Sequence, residues 1–255
     1  MPLTAKGNSS LASAPPWHYV GDLIGVEFWA TAAAAEASLP SGLDPDPTDS
    51  GHGHVLFIDW QFNGSGDEYL DPVRSRYSEC MVLLDAAYQG QTVAWCPFIF
   101  VDNDTSMARG WVQGFSKKLG QVHQTRAYAV ASQAGPVLGA GGTFAGTLSV
   151  AGRRIAEGRV TLTGPSTSPA ALSRPIVNLR HFPRLQAGRH DDPVVHELAM
   201  SVLENVEVAG AWTGTGSLSF FPAPGEELAD LVIQRTGAGF RSTLSFTVAD
   251  LKILD

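Results

Sequence analysis

From residue 54 onward the chain is a succession of short runs rich in β-branched and aromatic residues, separated by turn residues. That pattern restricts the fold more than any other feature. Residues 55–62, 77–88 and 92–101 read as strands. Gln89-Gly90 joins the last two as a hairpin. Residues 142–150 and 154–163 flank Ala151-Gly152 and read as a second hairpin. Further strands are expected at 176–182, 195–209, 215–221, 229–235 and 240–249. Helical signals are few. Residues 30–38 are alanine-rich and form a short helix, and Asp104 or Thr105 caps another over 105–113. Many strands with few helices predict a mainly β, closed architecture, either barrel or sandwich.

The chain has 255 residues, enough for one such domain. Residues 1–14 are polar and small and read as a flexible tail, with the domain over 15–255. Residues 40–54 and 165–174 are turn-rich connections. Hydrophobic residues are 44% and charged residues 16%, which argues for a sizeable core over disorder. The net charge of −8 and the lack of a basic patch exclude a nucleic-acid partner. No apolar run reaches the length of a membrane span, and no secretory signal is evident, so a cytoplasmic protein is expected. Cys80 and Cys96 lie in apolar segments and read as buried free thiols.

Nucleotide-binding loops and nucleophile elbows are absent from the sequence. His52-Gly53-His54 has metal-ligand chemistry, but it lies in a Gly/Asp-rich stretch with no further clustered ligand and reads as a solvated loop. No metal or cofactor is expected.

The unusual segment is 110–120. The chain has four lysines against 13 arginines, and two of the four, Lys117 and Lys118, stand together among Trp111, Val112, Phe115 and Leu119. Burial lowers a lysine pKa, and so does an adjacent cation. The ordinary value is about 10.4, and bringing it near neutrality takes about 4–5 kcal/mol. A neutral amine at pH 7 attacks a carbonyl and forms a Schiff base. An exposed Lys-Lys turn before Gly120 is the plainer reading of the same residues.

Gly114-Phe115-Ser116-Lys117-Lys118-Leu119-Gly120 resembles the G-F-P-K-K-L-G segment of the acetoacetate decarboxylase-like superfamily, with Ser116 in place of the proline. Acetoacetate decarboxylase is itself the reference case for lysine activation by burial and a neighbouring cation. Other matches keep their order: Pro15-Pro16-Trp17, Tyr77-Ser78-Glu79, Phe100-Val101-Asp102-Asn103, Arg174-Pro175 with Leu179, and Glu197 with Ala211-Trp212-Thr213-Gly214. The resemblance covers roughly 15–250. It implies Lys117 as the Schiff-base lysine, Lys118 as its pKa-tuning neighbour and Glu79 as an active-site acid–base. It also implies a mainly β, single-domain closed antiparallel barrel or cone with a few short helices, and a homo-oligomer.

The departures are informative. Decarboxylases of the family carry an arginine in the early strand, where a gapless count from Pro16 finds Asp22. They carry a second glutamate where Ile58 stands, and an acid where Trp111 stands. A less charged pocket fits members that use the lysine on pyruvate for aldol condensation and dehydration. The expected activity is therefore a carbon–carbon lyase: a Schiff-base enzyme acting on a small oxo acid, with an aldehyde co-substrate. Gln113, Arg109, Trp111 and Phe115 are the expected substrate contacts. Decarboxylation of a 3-oxo acid, and non-catalytic binding of a small hydrophobic ligand in the barrel, are the alternatives.

Overall fold

A computed structural model describes residues 4–7, 11–64, 66–167 and 173–254. Parts of the expected tail (1–3 and 8–10) and of the second connection (168–172) lie outside the described residues. Twelve strands form one sheet. They are β1 (Trp17–Ala30), β2 (Asp44–Pro45), β3 (His52–Asn63), β4 (Arg76–Tyr88), β5 (Gln91–Val101), β6 (Lys117–Leu119), β7 (Gln121–Gln124), β8 (Thr143–Val150), β9 (Arg153–Pro165), β10 (Ile176–Phe182), β11 (Val195–Phe220) and β12 (Ile233–Leu254). Among the described residues, three short α-helices accompany it: α1 (Ala32–Ala37), α2 (Pro72–Ser75) and α3 (Asp104–Gln113).

The ladder runs β10-β5-β4-β3-β1-β12-β11 and returns to β10, which pairs with β11. Seven strands therefore form a closed ring. Not every ladder is antiparallel as expected: β10–β5 and β5–β6 are parallel. Strands β9, β8 and β7 continue from β11 as a second layer. Alternation along each strand sorts side chains between two cores. Phe57, Cys80, Val82 and Phe100 pack outward against Val122, Phe144, Leu148 and Val160 of the second layer. Leu56, Ile58, Trp60, Tyr77, Met81, Leu83 and Ile99 face into the ring. The layers meet closely because Gly146 opposes Phe57: a Cβ there would lie 2.3 Å from its ring.

Both expected hairpins form. Gln89 and Gly90 have φ of 49° and 78°, and Ala151 and Gly152 have φ of 48° and 75°. Two successive positive φ values make the tight turn that suits twisted strands. The expected break between 209 and 215 is absent, because β11 absorbs it as register shifts near Asn205 and Gly210, both at positive φ. Likewise 240–249 belongs to the longer β12, and 228–230 is a 3-10 turn. Strand β1 is expected only through the resemblance, which puts Asp22 on an early strand; no residue pattern marks it. It lies between β3 and β12 with both faces largely covered, so it lacks polar alternation. The cap of α3 is Asn103, whose side chain accepts from Ser106 N at 2.9 Å, and not Asp104 or Thr105. Both cysteines are buried and free. Among the described residues, no helix is long and apolar enough to cross a membrane.

Candidate active site

The ring encloses a cavity of about 450 Å³. Its walls are mostly apolar, including Leu23, Ile58, Leu83, Leu244 and Phe246. Lys117 and Glu79 stand among them.

Local geometry explains how a lysine comes to face this space. Helix α3 ends on Gly114, at φ 90°, a left-handed position that glycine takes without strain. The chain then reverses and β6 adds alongside β5, with Lys117 beside Ile99. The lysine stem crosses α3 at Gly110, where a Cβ would lie 2.4 Å from Lys117 Cδ. The backbone is tied down as well: Trp111 Nε1 donates to the Lys117 carbonyl at 2.9 Å.

Lys117 Nζ donates to Glu79 Oε2 at 2.7 Å and to Ser106 Oγ at 3.0 Å. Trp60 Nε1 donates to the other Glu79 oxygen at 3.0 Å. Lysine and glutamate are 8% and 3% exposed, so solvent screens their interaction little. Burial pushes the Lys117 pKa down, the Glu79 carboxylate pulls it up, and the Arg109 guanidinium pushes it down again. The net direction is downward. An ordinary lysine is almost fully protonated at pH 7, so this direction favours the nucleophilic form.

The structure separates the expected site residues. Glu79, Gln113, Phe115 and Lys117 line the cavity. Gln113 is buried, and its Oε1 accepts from Ser201 Oγ at 3.0 Å. Lys118 does not join them. Neighbours on a strand point to opposite faces, so Lys118 turns outward, half-exposed, and donates to both Glu226 oxygens at 2.8 Å. The cation acting on Lys117 is Arg109 instead. Arg109 is fully buried, but it lies behind the cavity wall with its guanidinium 3.4 Å over the Phe62 ring. Unlike Gln113 and Phe115, it does not line the cavity where a substrate contact is expected. Trp111 is 44% exposed and lies outside the cavity lining. Its part is the bond to the Lys117 backbone.

Asp22 also differs from expectation. It faces outward, bonded to Thr243 and Arg241 at 2.6 and 3.1 Å, while Tyr19 and Leu23 line the cavity. The gapless count thus lands on the wrong face, but β1 holds no arginine at all. Ile58 does line the cavity, and among the described residues Glu79 is its one acidic residue. Sequence reading missed Ser106, Trp60, Tyr77, Ser201 and Arg174. Arg174 carried a signal in Arg174-Pro175. Trp60, Tyr77 and Ser201 come from strand parity or from chain-distant pairing, and Ser106 from the packing of α3 on the Lys117 side chain. His52-Gly53-His54 is not a solvated loop: it opens β3, and His54 is 4% exposed.

The site this fold presents is a buried lysine amine against one carboxylate inside a mostly apolar cavity. The chain belongs to the acetoacetate decarboxylase family, whose model matches residues 1–255. The enduracididine biosynthesis enzyme MppR superposes with a TM-score of 0.92 at 34% identity, covering 100% of this chain and 93% of that one. MppR complexed with the condensation product of pyruvate and imidazole 4-carboxaldehyde gives 0.91 at 34% identity, covering 99% and 94%. An acetoacetate decarboxylase-like enzyme from Sphingomonas wittichii RW1 shares the fold, with a TM-score of 0.90 at 21% identity over 100% and 98%. No curated protein sequence matches the chain.

Proposed function

We propose that this enzyme condenses a pyruvate-like oxo acid with an aldehyde through a Lys117 iminium and then expels water. The observation that carries the reading is the Lys117 Nζ–Glu79 Oε2 contact of 2.7 Å inside an apolar cavity. The MppR complex named above supports the choice of co-substrates.

Glu79 takes the ammonium proton, and the free amine attacks the ketone carbon. Water leaves and an iminium forms. A methyl proton passes to Glu79 and leaves an enamine. The enamine carbon bonds to the aldehyde carbon, whose oxygen takes up a proton. A second proton leaves the former methyl carbon for Glu79, the hydroxyl is protonated and departs as water, and a conjugated iminium results. Hydrolysis releases the unsaturated oxo acid and restores the amine. The net reaction joins two carbonyl compounds and releases one water. Gln113, fixed by Ser201, offers an amide to orient the substrate. Decarboxylation is disfavoured because β1 supplies no arginine and Ile58 replaces an acid.

Borohydride added with pyruvate is expected to leave a reduced adduct on Lys117, seen by peptide mass spectrometry, and none in Lys117→Ala. With an aldehyde present, the product should carry the summed mass less one water. An unmodified Lys117 would overturn the Schiff-base reading in favour of a ligand-binding ring. Carbon dioxide release from acetoacetate without any aldol product would replace condensation by decarboxylation. The proposed enzyme is a homo-oligomer, which light scattering behind gel filtration tests.

A further inference from the structure

A second cluster of reactive groups lies at the far end of the same inward columns. Along β4, Asp85 shares the face of Glu79 but stands six residues away, about 20 Å along the strand. Opposite it, β3 begins with His52 and His54. His52 Nδ1 lies 2.6 Å from Asp85 Oδ2, and its Nε2 lies 3.0 Å from Glu27 Oε1. The His54 ring centre is 5.0 Å from that of His52 and 6.0 Å from that of Phe240. Each of Glu27, His52 and His54 brings one donor atom within 4.8 Å of the other two.

Glu27 is aimed there by a backbone device. β1 and β12 slip register between Val26 and Phe28, so Gly237 and Ala238 both stand opposite Glu27. Such bulges re-aim side chains. Ala238 N donates to Glu27 Oε2 at 3.0 Å, and a Cβ on Gly237 would lie 2.0 Å from that same oxygen. The glycine thus gives the carboxylate the room to turn toward the histidines. Behind them, Asp85 is held by Arg174 at 3.2 Å.

We propose that Glu27, His52 and His54 bind a zinc ion, with Asp85 fixing the His52 ring from behind. Two imidazoles and one carboxylate match the donor preference of zinc and leave a fourth position for solvent. Tetrahedral zinc sets its ligand atoms about 3.3 Å apart, which small side-chain rotations reach from the observed spacing. A carboxylate on the remote imidazole nitrogen is the usual partner of a metal-bound histidine, since it fixes the tautomer that presents the other nitrogen. A plain ion pair would explain His52, Glu27 and Asp85 but gives His54 no part. The ion would clasp β1 to β3 at the end of the ring remote from Lys117.

The test uses the full chain, stripped with chelator and titrated with Zn²⁺ by calorimetry, with metal counted after gel filtration. One zinc per chain and a raised melting temperature are expected. Glu27→Gln and His54→Phe should each weaken binding at least tenfold, and Asp85→Asn by ten- to a hundredfold. Removing the exposed pair His181 and His196, whose Nδ1 atoms lie 2.9 Å apart, should change nothing. Circular dichroism of the metal-free variants checks that they fold. Failure of the wild-type chain to retain zinc would overturn the proposal. So would zinc that survives both Glu27→Gln and His54→Phe but is lost with His181 and His196.

Discussion

Lys117 owes its depressed pKa to burial first and to Arg109 among its neighbours, with Glu79 opposing both. Each of these has a measurable sign. The neutral amine is the attacking form, so the rate should rise as pH climbs through the lowered value. Arg109→Met removes a cation that disfavours protonation and should move that limb to higher pH. Lys118→Ala should leave it in place, because Lys118 is tied to Glu226 outside the cavity. A shift with Lys118→Ala and none with Arg109→Met would reverse the assignment. Stability follows the same linkage. A lysine with a folded pKa below its unfolded value binds fewer protons when folded, so stability rises with pH between the two values and falls as pH drops toward the lower one. The meeting of Lys117 and Glu79 at one cavity was legible in the sequence because chemistry and motif coincide there. The role of Lys118 was misread because adjacency along a strand is opposition in space. Arg109 is expected as a substrate contact because sequence does not reveal that its guanidinium sits over the Phe62 ring.

At the scale of the element, α3 and β6 form the device that delivers the amine. Gly110 is the sensitive position. Alanine in a helix normally gains up to about 1 kcal/mol over glycine, but here the new methyl would meet the lysine stem at 2.4 Å. Gly110→Ala is therefore expected to lower kcat at least tenfold while the melting temperature barely moves; unchanged turnover would show that the stem has another path. Hairpins were legible because Gln89-Gly90 and Ala151-Gly152 carry turn chemistry. The length of β11 was not, because its Asn205 and Gly210 mark bulges with the same residues that elsewhere mark ends.

The whole molecule depends on ring closure at β10. That strand pairs with β5 only through Ile176 and Val177, whereas β1 and β3 are registered from His18 to Trp29 on β1. Hydrogen exchange should find the amides of β10 opening before those of β3 and β1, since the least-paired seam opens at lowest cost. Equal protection across the seam would mean that the ring opens as a unit. The closed β class was legible from strand count. The single seam and the second layer were not, because both rest on pairings between distant parts of the chain.

The parity of β4 has a consequence for how such a chain can change over generations. Glu79 faces the cavity and Cys80 the second layer. Losing one residue upstream in this strand would exchange them, placing a thiol beside Lys117 and a carboxylate in the apolar outer layer. Insertions and deletions are thus confined to the connections, and descendants with new substrates must arise by point replacement of inward side chains such as Ile58 or Leu244.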